Sequence, residues 1–169
     1  MKKIIFLLVT TVFMSCNFEK PTQFSEKALQ NKMISLNEKT LTFKEVVEKH
    51  KGKKIVIDVW ASWCADCIKG LPTVKELQKE FPEVVFLFLS VDKKKAAWKK
   101  GITRFKIEGE HYLVNGDFDA EFSDFLGLSW IPRYLVVDEK GGITLFKATK
   151  ATDKNIVKAL QMNSNVVTQ

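Results

Sequence analysis

The sequence predicts an α/β domain with a mixed central β-sheet flanked by helices. Three observations carry that reading. Lys54-Ile55-Val56-Ile57-Asp58-Val59-Trp60 and Val84 to Val91 are continuous apolar runs rich in β-branched and aromatic residues, the pattern of strands buried on both faces. A helical stretch separates the two runs. Further on, Arg133 to Val137 and Ile143 to Lys147 are joined across Lys140-Gly141-Gly142, which reads as a hairpin.

The remaining elements follow in order. Met33 to Leu36 reads as a short edge strand. Thr42-Phe43-Lys44-Glu45 is a capping box, with Thr42 as N-cap and Glu45 three residues later, so a helix is expected from Phe43 to about His50, closed by Gly52. From about Ala65 to Glu80 a helix follows, interrupted at Pro72, which is expected to kink it. Lys94 to about Phe105 carries Trp98 and Ile102 four residues apart, on one helical face. His111 to Val114 reads as a short strand, Phe118 to Phe125 as a short helix ending at Gly127, and Thr152-Asp153 as the cap of a final helix to Met162. Phe86, Phe88 and Tyr134 read as core.

A chain of 169 residues with 46% hydrophobic and 28% charged residues is long enough for one self-sufficient core. The net charge of +7 comes mostly from lysines scattered over helices and loops. The densest runs, Lys51 to Lys54 and Lys93 to Lys95, stand beside strand ends and not among aromatics. A solvated surface is the better reading, and no nucleic-acid partner is expected.

The N-terminus reads as an address. Met1-Lys2-Lys3 is positive, Ile4 to Met14 is apolar, and Ser15-Cys16 follows at once, the layout of a secretory signal. The apolar run is shorter than the about 20 residues that span a bilayer. A lone cysteine at that place resembles a bacterial lipoprotein signal, which implies lipidation of Cys16 and a membrane anchor. Phe13 and Met14 depart from the usual lipobox. The expected organisation is a signal peptide over residues 1–16, a polar tether over 17–32 and a single domain over 33–169, exported to the cell envelope and facing the periplasm. Disulfides persist in such a compartment.

The expected domain holds two cysteines, in Trp63-Cys64-Ala65-Asp66-Cys67. A C-x-x-C pair at the mouth of a buried strand, opening a helix, suits redox chemistry. Unpaired N–H groups and the positive end of the helix dipole favour thiolate at Cys64, and thiolate is the nucleophile. Cys67, one turn later, is placed to attack the resulting mixed disulfide. Zinc would need four ligands, and only His50 and His111 are available, at unrelated spacing; no metal is expected. A purely structural bridge over so short a loop would stabilise little. Ala65 and Asp66 lie between the sulfurs as candidate redox-tuning positions, and the Asp66 charge disfavours thiolate, which tilts the pair toward a reductant.

Val56 to Cys67 strongly resembles the active-site segment of the thioredoxin-like family. Pro72 falls where that family bends its active-site helix, and Trp130-Ile131-Pro132 resembles its cis-proline loop. The longer stretch between Asp92 and Pro132, with the signal and Asp138-Glu139-Lys140-Gly141, looks like the exported TlpA/ResA branch. The resemblance implies a thioredoxin-like fold with an insertion before the cis-proline strand, and a redox-active disulfide, Cys64–Cys67, in place of a cofactor. It also implies substrate contact at Trp63, Ile131 and Pro132. Asp58, six residues before Cys64, matches the buried acid that exchanges a proton with the resolving thiol; burial should raise its pKa. Phe88 stands where a lysine commonly pairs with that acid. Gly70 stands where several cytochrome-maturation relatives carry an acidic residue.

The expected activity is reduction or isomerisation of disulfides in exported, cysteine-containing proteins, with a membrane electron donor or acceptor as second partner. A disulfide-inserting oxidant, a cytochrome c maturation reductant and a non-catalytic thioredoxin-fold binding module remain open alternatives. A peroxidase is disfavoured because Ala61 occupies the place of the threonine that peroxiredoxin chemistry uses.

Overall fold

The computed structural model describes residues 20–162. The expected signal segment, the lipidation candidate Cys16 and the start of the expected tether lie outside the described residues.

Seven strands form one mixed sheet in the order β2-β1-β5-β4-β3-β6-β7. The N-terminal part consists of α1 (Glu26–Gln30), β1 (Lys32–Ser35), β2 (Thr40–Thr42) and α2 (Phe43–Glu48). The centre is β3 (Ile55–Trp60), α3 (Ala65–Glu80), β4 (Val85–Ser90), α4 (Lys95–Phe105) and β5 (Glu110–Val114). A 3₁₀ turn (Asp117–Asp119), α5 (Glu121–Phe125), β6 (Arg133–Val137), β7 (Ile143–Ala148) and α6 (Lys154–Gln161) complete the chain. β3 is parallel to β4 and antiparallel to β6, and all six of its residues are buried. Its apolar run is therefore what a central strand covered on both faces requires.

Local chemistry explains most of the boundaries. In α2 the Thr42 hydroxyl accepts the Glu45 N–H at 3.2 Å, while the Glu45 carboxylate accepts the Thr42 N–H at 2.6 Å, the reciprocal capping box expected. Asp153 caps α6 by accepting the Asn155 N–H at 2.9 Å. Helix α3 runs as one element through Pro72 instead of being interrupted there. Proline removes a single donor, and burial of Leu71, Val74 and Leu77 on both sides of it holds the helix to the sheet.

Three expectations change. The strand at Met33 is not an edge, because Thr40–Thr42 pairs outside it and β5 inside it. Three residues are too short a stretch of alternation for that outer strand to be read. The expected helix Phe118–Phe125 divides into the 3₁₀ turn and α5, because Ala120 between them is extended, with φ −75° and ψ 147°. The third change concerns the tether, whose second half is part of the folded domain. The Ile143 amide donates to the Thr22 carbonyl at 2.8 Å, and Ser25 caps α1. Phe24 meets Phe43 at 4.9 Å and Phe125 at 5.6 Å between ring centroids. Phe43 in turn meets Phe122 at 4.7 Å. A segment of one helical turn shows no periodicity, so Phe24 and Ala28 were not legible as core residues.

Replacing Phe24 with alanine should cost about 3 kcal/mol of unfolding free energy, the range for deleting a buried aromatic. Urea denaturation should show a lower midpoint with an unchanged slope; a tether residue would leave the midpoint where it was.

Candidate active site

The site is assembled where β3 ends. After Trp60 the chain turns through Ala61, Ser62 and Trp63, and Cys64 becomes the N-cap of α3. That turn is clamped from the neighbouring strand. The buried Asp92 carboxylate, just past β4, accepts the Ser62 N–H at 2.8 Å and the Ser62 hydroxyl at 2.7 Å, and the Ser90 hydroxyl at 2.8 Å. Helix α4 closes over the same turn at Gly101, where a Cβ would stand 2.7 Å from that of Ser62. Asp92 and Gly101 were missed as positioning residues. Trp60 pairs with Ser90 in the parallel register, so an acid immediately after the second buried run was the available signal.

Cys64 and Cys67 are joined by a disulfide, with Cα atoms 5.3 Å apart. The Cys67 N–H donates to Cys64 Sγ at 3.1 Å, so one of the unpaired donors at the start of α3 is aimed at the first sulfur. Cys64 is less open than a helix N-cap suggests, at 6% exposure against 2% for Cys67. The Ile131 carbonyl oxygen lies 3.7 Å from Cys64 Sγ, which places the cis Ile131–Pro132 bond directly against the disulfide. Trp63 and Trp130 are 61% and 51% exposed and flank this spot, while Ile131 is buried. Arg133, fully buried behind the loop, donates to the Leu126 carbonyl at 2.8 Å and ties the loop to the end of α5.

Asp58 lies within β3, opposite Phe88 of β4 and Tyr134 of β6. It is 2% exposed, and its Oδ1 has no hydrogen-bond partner. With no cation to answer its charge, burial pushes the carboxyl up to about 8. Burial, and secondarily the Asp58 charge, also raises the Tyr134 phenol. A Cβ on Gly70 would stand 2.9 Å from the Tyr134 hydroxyl, so the tyrosine fills the space in which a side chain at residue 70 would begin.

Ala65 and Asp66 form the exposed first turn of α3. Asp66 is paired with Lys69 at 3.3 Å. That exposed cation, one turn on, offsets part of the negative charge that the spacing alone sets against the helix dipole. Among the described residues no group of three or more His, Cys, Asp or Glu could hold a metal ion, and no helix is long and apolar enough to cross a membrane.

Comparison with known proteins gives a consistent picture. The thioredoxin-like family profile matches residues 52–143. The chain is 28% identical over 163 residues to the thiol:disulfide interchange protein DsbE of Yersinia pestis, covering 89% of this chain and 83% of that protein. It is 23% identical over 124 residues to the thioredoxin-like protein YneN of Bacillus subtilis, covering 71% of each. Among solved structures, a candidate thiol-disulfide oxidoreductase from Bacteroides vulgatus superimposes with a TM-score of 0.66 at 30% identity, covering 81% of this chain and 88% of that one. With this sheet order, a C-x-x-C disulfide at the start of α3 and a cis-proline against it, the chain belongs to the thioredoxin-like family.

Proposed function

We infer that this chain is a thiol-disulfide oxidoreductase of the DsbE type, reducing or isomerising disulfides of exported, cysteine-containing proteins through Cys64 and Cys67. The observation that carries the reading is the Cys64–Cys67 disulfide seated at the N-terminus of α3, over a strand whose one carboxyl is buried without a partner. The similarity to a thiol:disulfide interchange protein over most of both chains supports it. The redox-active disulfide is the only cofactor the reading needs.

In the reduced protein, Cys64 is the attacking thiolate. The Cys67 N–H and the α3 dipole stabilise its charge. Attack on a substrate disulfide forms a Cys64–substrate bond and expels the other substrate sulfur, which takes up a proton. The ionised fraction of Asp58, available because its carboxyl titrates at about 8 and growing as pH approaches that value, then takes the proton of the Cys67 thiol, which attacks Cys64 Sγ. The protein disulfide forms, and the second substrate sulfur leaves as a thiol. Two electrons have moved from the protein to the substrate, and a membrane donor returns them. Trp63, Ile131 and Pro132 form the surface the substrate meets, with the Ile131 carbonyl next to the reacting sulfur. Ala65 and Asp66 set the balance between dithiol and disulfide, and the Asp66 charge favours a reducing pair.

The N-terminal part of the reading is export through residues 1–16, with Cys16 as a lipid-bearing residue and a tether that ends before Thr22. It rests on the layout of charged, apolar and cysteine residues.

Trapping tests the assignment of the sulfurs. Reduced Cys67→Ala protein should accumulate exported proteins bound through Cys64 and released by dithiothreitol, whereas Cys64→Ala should trap none; equal capture by both variants would contradict it. Asp58→Asn tests the acid through two effects of opposite sign. The folded carboxyl sits at about 8, against about 4 in the unfolded chain. Between those values the folded state holds a proton that the unfolded state has lost. Stability of the oxidised protein should therefore fall as pH rises across that window and level off above it. The asparagine variant should flatten that dependence and be more stable at pH 7 by on the order of 2–4 kcal/mol, read from urea denaturation. Stopped-flow measurement should show its resolving step slowed by about 100-fold.

A further inference from the structure

The insertion between Asp92 and Pro132 adds something to the site that the chemistry above does not use. Its 3₁₀ turn carries Phe118 across to Trp63, with ring centroids 6.4 Å apart and planes tilted by 31°. The two rings, with Val91 and Ala97, line a pocket of about 330 Å³, one wall of which is Trp63, the residue before Cys64. Pockets of this size suit a compact apolar group.

One rim of the pocket is cationic. Lys93 and Lys94 line it, are exposed and form no ion pair among the described residues. Lys94 is also the N-cap of α4, an eleven-residue helix with no side-chain cap and no acidic residue in its first turn. The free N–H groups and the positive dipole end therefore reinforce the two ammonium groups. The one carboxylate in the lining, Asp92, is occupied by Ser62 and Ser90. Asp117 and Asp119 flank Phe118 without lining the pocket, which restricts the attraction for an anion to the Lys93–Lys94 side.

We propose that this pocket selects the substrate: a protein disulfide whose cysteine is flanked by a large apolar side chain, packed in the pocket against Trp63 and Phe118, and by one acidic side chain, held by Lys93 and Lys94. The selection rests on the oxidoreductase reading and names the substrate class of that site. The apolar group loses water against the rings. The carboxylate provides orientation and a faster encounter more than affinity.

The test uses single-cysteine peptides joined through a disulfide to 2-mercaptoethanol. The cysteine is flanked by Phe and Glu, Ala and Glu, Phe and Lys, or Ala and Lys, each in both orders. Reduced protein converts each to the peptide thiol and free 2-mercaptoethanol while its own disulfide forms, so no further reductant is required. Second-order rate constants come from the peptide thiol released in a single turnover. The Phe–Glu peptide should react at least about tenfold faster than the Ala–Lys peptide, equivalent to about 1.4 kcal/mol. Phe118→Ala should reduce the preference for Phe over Ala to about two-fold or less, while the Lys93→Glu/Lys94→Glu double variant should invert the preference for Glu over Lys. Because each readout is a ratio within one protein, a general loss of reactivity cancels. The lysines are exposed, so their variant tests the anionic half even if Phe118→Ala does not fold. Equal rates for all peptides, or ratios unchanged in the variants, overturn this inference and leave the oxidoreductase reading standing. No reduction of any peptide overturns the oxidoreductase reading itself.

Discussion

The site depends on a carboxyl placed in the middle of a strand that is buried throughout. β3 satisfies its backbone by pairing with β4 on one side and β6 on the other, and its apolar side chains gain from losing water. The Asp58 side chain has no such gain: Oδ1 has no partner, and the neighbouring position on β4 is Phe88 instead of a cation. Desolvation keeps the carboxyl protonated near neutral pH, and the rest of the core must offset that cost. Such a group is uncommon in a structural strand, and it suits the proton-exchange role proposed for Asp58.

Around that strand, the reactive end is held by parts of the chain distant in sequence. Asp92 fixes the turn before Cys64 from β4, Gly101 lets α4 approach it, and Arg133 anchors the Ile131–Pro132 loop to the end of α5. The aromatic contacts linking Phe24, Phe43, Phe122 and Phe125 brace α1, α2 and α5. Because α5 receives the Arg133 bond, the N-terminal segment is mechanically connected to the active-site loop. The same insertion supplies Phe118 to the surface beside Trp63, so one stretch of chain both supports the loop and shapes what can approach it.

Much of this was legible in the sequence because its signals are local. Continuous apolar runs marked β3 and β4, the Thr42–Glu45 pair marked the start of α2, and two cysteines separated by two residues marked the disulfide at the mouth of a buried strand. Asp58 stood out as a lone charge among β-branched residues. Features that depend on tertiary approach were not legible: the three-residue outer strand, the folding of Phe24 onto Phe43, the clamp at Asp92, the near-burial of Cys64 and the contact between Trp63 and Phe118. Lys69 was visible, but its pairing with Asp66 depends on where the two side chains point on the first turn of α3. In each case the deciding partner lies elsewhere in the chain or is set by rotamer choice, and no local pattern encodes it.

The central claim is that Cys64 is the thiolate activated at the start of α3 and Cys67 the protected resolving thiol. Brief treatment of the fully reduced protein with iodoacetamide at pH 7, followed by peptide mass mapping over time, tests this most directly. The account predicts alkylation of Cys64 at least about tenfold faster than Cys67. Labelling of Cys67 at an equal or greater rate would contradict it.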